Sequence, residues 1–131
     1  MNVMLFITLQ QAIFKRLTEA GLIVYDSSES VKKTPAVVIF SPTLTPLSDK
    51  TSYYKEVQVK LMVVGEENKG KREVYQILGD ITRSLKEKLE LSNAVVDHQK
   101  LSNINDTVSQ GNGLHSTSLI YKFKITSEEE L

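Results

Sequence analysis

The sequence predicts an α+β domain, a mixed or antiparallel sheet with two helices packed on one face and elements in the order α-β-β-β-α-β-β. Two stretches, 3–20 and 74–89, repeat apolar residues at steps of three and four, which places them along one side of a helix. Two others, 57–63 and 119–125, largely alternate apolar and polar residues, the period of a strand with one face in the core. Between them, Ala36-Val37-Val38-Ile39-Phe40 is a short β-branched run between Pro35 and Pro42, which favours a buried strand over a helix.

In the first helix Leu5, Leu9, Ala12, Ile13 and Leu17 form the apolar side, and Gly21 stands where a left-handed C-terminal cap is wanted. Residues 22–25 read as a short strand, and Asp26, Ser27 and Ser28 open a polar turn. After the 36–40 strand, residues 41–52 hold Pro42, Pro46 and many hydroxyl side chains and read as an extended, exposed loop. Val57, Val59, Leu61 and Val63 then alternate with Glu56, Gln58, Lys60 and Met62 in a strand over 53–64. Past the polar link 65–70, Val74, Ile77, Leu78, Ile81, Leu85 and Leu89 make one stripe, and this reads as the longest helix. Strands are expected over 94–101 and 117–125, separated by polar residues and the turn-prone Gly111-Asn112-Gly113. On the sheet face away from the helices, Tyr54, Met62 and Ile120 are expected to be exposed unless a partner covers them.

A chain of 131 residues with 40% hydrophobic content closes one core, so residues 1–131 are read as a single domain with 126–131 as a frayed tail. Sixteen Lys plus Arg balance sixteen Asp plus Glu, so no global field draws the chain to nucleic acid or an anionic membrane, although local patches remain open. With no cysteine there is no disulfide, thiolate nucleophile or Cys-ligated metal, and the fold holds by packing alone. The apolar start lacks a basic leader and is interrupted by Gln10 and Gln11, so it is read as mature protein; no run has the length of a membrane span.

Gly65-Glu66-Glu67-Asn68-Lys69-Gly70-Lys71-Arg72 has the glycine and lysine spacing of a phosphate-binding loop. Its chemistry is wrong. Arg72 stands where a hydroxyl should meet Mg²⁺, and Glu66 and Glu67 repel phosphate, so the segment reads as a solvated strand-to-helix connection. His98 and His115, with Asp97 and Asp106 near them in sequence, could supply metal ligands, yet no spacing demands it and no metal site is assigned. No Gly-x-Ser-x-Gly turn accompanies the serines, and no catalytic residue is assigned. Tyr53, Tyr54 and Lys55, and Tyr121, Lys122, Phe123 and Lys124, mix aromatic and basic residues as nucleic-acid platforms do. In the second group, alternation sends the aromatics to the core and the lysines to a solvated rim, so direct nucleic-acid readout is not expected.

The helix ending at Gly21, the Val24-Tyr25-Asp26 corner, the strand from Pro35, the loop before the 57–63 strand, the long second helix and a final strand led by His115 resemble, over nearly the whole chain, the small tail-completion and tail-terminator (head–tail joining) proteins of long-tailed phages and prophages. The resemblance implies a structural subunit with no cofactor, assembled in the bacterial cytoplasm. It forms a homo-oligomeric, typically hexameric, ring at the head-proximal end of the tail tube. Its partners are further copies of itself, the tail tube protein and a head-completion or connector protein, with no membrane. A neck or head–tail connector protein shares this ring logic, and a small oligomeric ligand-binding or regulatory domain is the reading from another class. Ring closure needs two different complementary patches. The candidates from this sequence are Thr45, Asp49 and Lys50 in the loop, the Tyr53-Tyr54 pair, and Asn112 and Gly113 in the turn, since loops on a rigid sheet carry recognition and tyrosines anchor interfaces.

Overall fold

The computed structural model describes residues 3–27, 31–44, 54–92 and 94–126, with the backbone alone at Val3 and Tyr54. Helix α1 (Val3–Glu19) lays Leu5, Leu9, Ile13 and Leu17 into the core. It ends as the sequence requires. Gly21 adopts φ 89°, a left-handed conformation that L side chains resist, and the Leu22 amide returns to the Leu17 carbonyl at 3.2 Å to close the last turn.

The sheet is mixed and seven-stranded, with its main path in the order β1-β2-β4-β7-β5. Strands β1 (Val24–Tyr25) and β2 (Ala36–Ile39) pair in parallel, and the remaining pairs are antiparallel. At the centre, β4 (Tyr54–Glu66) and β7 (Leu114–Thr126) run against each other without a break from Tyr54↔Thr126 to Glu66↔Leu114. The edge strand β5 (Val95–Ile104) flanks β7 and carries two register shifts, at Val96/His98 and Leu101/Asn103. Such bulges, with the charges on Asp97 and Lys100, keep an exposed edge from recruiting stray strands.

Helix α2 (Arg72–Ser84) joins α1 on one face of the sheet. Val57, Val59, Leu61 and Val63 of β4 and Leu119, Tyr121, Phe123 and Ile125 of β7 meet Val74, Ile81, Leu85 and the α1 leucines in one apolar cluster. Period two on the strands and period three to four on the helices thus converge on one core, as the sequence predicts.

Four details differ from the sequence reading. Thr43–Leu44 (β3), inside the stretch read as loop, pairs with Gln58 and Val57 of β4, because two extended residues suffice to extend a ladder. Val108–Ser109 (β6) likewise pairs with Ser116 and His115 of β7. Gly65 and Glu66 belong to β4, and Glu67–Lys69 form a single 3-10 turn. The second helix is the shorter one, 13 residues against 17 in α1. Its apolar stripe runs on to Leu85 and Leu89, both buried, but the backbone leaves the helix after Ser84 because other groups take its carbonyls. Arg16 bonds the Ser84, Glu87 and Lys88 carbonyls, while Gln99 bonds those of Leu85 and Glu87 and accepts from the Leu89 amide.

Candidate assembly surfaces

Five of the sequence-derived contact residues fall where the structure gives no side-chain account. Thr45, Asp49, Lys50 and Tyr53 lie outside the described residues, and Tyr54 is placed by its backbone at the start of β4. Asn112 and Gly113 sit at the exposed tip of the turn that leads into β7. Gly111 at φ 79° and Gly113 at φ 81° let the chain reverse there, and the Asn112 side-chain oxygen accepts the Leu114 amide at 3.3 Å. The turn is tied to the 3-10 turn that follows β4, because the Glu67 amide donates to the Gly113 carbonyl at 2.9 Å. It is a protrusion on a fixed base.

A second surface was not singled out from the sequence. On α1, Met4 (61% exposed), Ile7 (41%) and Phe14 (41%) lie along the side of the helix opposite Leu5, Leu9, Ile13 and Leu17. The signal was present as apolar residues three and seven positions apart, but the stronger core stripe masked it. A helix apolar on both sides is stable in water only at the cost of wetting one of them, and such rows mark contact sites.

The sheet face away from the helices divides in two. At the β1–β2 end it is closed: Ala36, Val38 and Val64 are buried, and the Tyr25 hydroxyl, on β1 beside Val38, accepts the Lys33 amide at 3.3 Å. Lys60 lies over the Phe40 ring, 5.0 Å from its centroid. Met62 and Ile120, expected to be exposed, are half-buried in this layer.

At the β5 end the face is polar and charged. Lys100 stands directly opposite Lys122, and His98 opposite Lys124, across the β5–β7 ladder. With Glu56 and Gln99 these residues line a shallow groove of about 330 Å³, in which Glu56 is the one carboxylate among the described residues, 4.0 Å from the Lys122 ammonium. Tyr121 and Phe123, on the opposite side of the same strand, are buried with ring centroids 6.3 Å apart, as alternation requires. Burial pushes the Tyr121 phenol up to about 12.

The residues weighed for chemistry do not converge. His98 pairs with Lys124, whereas His115 pairs with Gly65 near the far end of β7, nine positions from Lys124 and therefore about 30 Å away along an extended strand. Among the described residues no group of three His, Cys, Asp or Glu side chains could hold a metal ion. Gly65 has a packing role: a β-carbon there would come within 2.8 Å of Val74 Cγ2 and 3.3 Å of His115 Nε2. The glycine of the loop-like motif is needed where helix α2 meets the sheet.

No protein-family model matches the chain, and no curated protein sequence matches it. Its fold does have solved counterparts. A chain of the virion of a native gene transfer agent particle superposes at TM-score 0.76, covering 92% of this chain and 96% of that one, at 16% identity. A second solved chain superposes at TM-score 0.61 over 94% of this chain and 96% of its own length, also at 16% identity. At this identity the likeness is one of fold, extending nearly end to end in both chains.

Proposed function

We propose that the chain is a structural tail-completion (tail-terminator) subunit of a phage-type particle, working by assembly and not by catalysis. It closes a ring on the head-proximal end of the tail tube, stops tube polymerisation and offers the surface to which the head connector docks. The observation that carries this reading is the near-complete coverage, in both directions, between this fold and a chain of a gene transfer agent virion. The exposed row Met4, Ile7 and Phe14 supports it, since a subunit that completes its apolar burial on assembly displays such a row beforehand.

In this reading the α1 row forms one half of a heterologous contact between copies. The Asn112-Gly113 tip, with residues 45–54, meets a neighbouring copy or the tube. Size-exclusion chromatography with light scattering, followed by negative-stain microscopy, tests it on the protein alone and with purified tail tube. Closed rings, or caps on tube ends, are expected, and the double substitution Ile7→Lys with Phe14→Lys should abolish them while leaving the melting temperature unchanged. A protein that stays monomeric at high concentration and ignores tube ends would overturn the proposal.

A further inference from the structure

Across the β5–β7 ladder Lys100 faces Lys122, and two positions further along the same face Lys124 stands opposite the imidazole of His98. Like charges directly opposite in a sheet are unfavourable. The carboxylate at hand, Glu56, stands opposite Lys124 across β4–β7 and 4.0 Å from the Lys122 ammonium, so among the described residues lining the groove three lysines meet a single carboxylate. Side chains two apart on a strand are about 6.7 Å apart and neighbouring strands about 4.8 Å, so Lys100, Lys122 and Lys124 form a compact set of cations over one groove. Glu56 is the carboxylate set against them among the residues that line it.

We propose that this face binds the phosphate backbone of nucleic acid without reading its sequence. Phosphate contact asks for spaced, flexible cations and little else, and it is the commonest form of sequence-independent attachment. An acidic protein partner would be expected to meet an apolar or aromatic centre inside the charged rim, and among the described residues the groove lining contains no such residue. The aromatic residues of β7, Tyr121 and Phe123, offer no base-stacking platform here, since they are buried on the opposite side. The molecule's zero net charge does not oppose this, because a local grid within a few ångströms of a phosphate acts inside the screening length. The inference stands apart from ring formation and would hold for a monomer.

Fluorescence anisotropy of a labelled mixed-sequence DNA duplex, titrated with the full chain at several salt concentrations, tests it. If Lys100, Lys122 and Lys124 each neutralise a phosphate, log K falls with log salt at a slope of about −2.7. The triple variant Lys100→Gln, Lys122→Gln, Lys124→Gln should lose at least about tenfold in affinity at low salt and most of the slope. Lys86→Gln with Lys88→Gln, exposed just beyond α2, should match the wild type. Circular dichroism melting checks the fold of the triple variant; should it be unfolded, Lys122→Gln alone is expected to reduce the slope by about 0.9. No binding at low salt, or binding unchanged by the folded variant, overturns the proposal. Poly-glutamate that competes as well per charge as unlabelled DNA also overturns it, by assigning the face to an acidic protein.

Discussion

The guanidinium of Arg16, in the last turn of α1, donates to the backbone carbonyl of Ser84 at 2.9 Å, joining the end of the first helix to the last residue of the second. The same group reaches the carbonyls of Glu87 at 2.9 Å and Lys88 at 3.3 Å. A helix end leaves carbonyls without partners and carries partial negative charge, so a planar cation with several donors fits there better than any neutral group. Gln99 on β5 serves the same segment from the other side, with bonds of 2.7 to 2.9 Å to Leu85, Glu87 and Leu89. Between them, the two side chains fix the turn by which Leu89 drops back into the core after α2 has ended.

Arg16→Ala should therefore destabilise the fold by about 1–2 kcal/mol, the scale of charge-assisted hydrogen bonds to partly exposed carbonyls. Arg16→Lys should recover only part of this, because one ammonium cannot span three carbonyls as the fork does. Urea unfolding of the three proteins measures both. Equal stability of wild type and Arg16→Ala would mean that water serves those carbonyls as well.

Gly65→Ala should cost about 1–3 kcal/mol, since the added methyl would stand 2.8 Å from Val74 Cγ2 in a packed layer. Val74→Ala in the same chain removes the obstructing atom, so the double variant should lose less than the two single losses combined. A double-mutant cycle by chemical denaturation reads the coupling. If the glycine instead served a phosphate loop, Val74→Ala would bring no relief.

Tyr121 makes stability depend on pH in the alkaline range. In the fold its phenol stays protonated up to about 12, and in the unfolded chain it ionises from its ordinary 10.0. Between those values the unfolded state gives up the proton first, so stability that is full below pH 10 declines as the pH rises through this window, by about 2–3 kcal/mol in all. Tyr121→Phe removes that dependence. Denaturant midpoints of the two proteins should diverge above pH 10, with the phenylalanine variant declining less, and parallel curves would place the alkaline loss in other groups.

How much of this was legible in the sequence follows from the range of each signal. The alternation of Val57, Val59, Leu61 and Val63 and the left-handed Gly21 are local properties of the chain, and both stand in the structure as read. The end of α2 was not legible, because Leu85 and Leu89 continue the apolar period while the residues that end the helix, Arg16 and Gln99, are distant in sequence. The strands β3 and β6, two residues each, owe their existence to a long neighbour and have no pattern of their own. Alternation correctly sent Lys122 and Lys124 to the wet face, but their apposition with His98 and Lys100 depends on the β5–β7 register, which the bulge at Val96/His98 sets. The Met4, Ile7 and Phe14 row is a readable period, masked by the core stripe it shares a helix with.

That register also yields a prediction in which stability and binding move in opposite directions. Lys100 and Lys122 repel each other across the ladder, and a carboxylate at position 100 would turn the repulsion into attraction. Lys100→Glu should thus stabilise the fold by about 0.5 kcal/mol, and less at high salt, where exposed charges are screened. The same change removes one cation from the groove and adds an anion, so duplex affinity should fall more than it does in Lys100→Gln. Thermal melts at two ionic strengths, set beside the anisotropy titration, separate the two effects. A variant that is less stable than wild type at low salt would show that Lys100 and Lys122 are already reconciled by neighbouring charge and do not repel each other across the ladder.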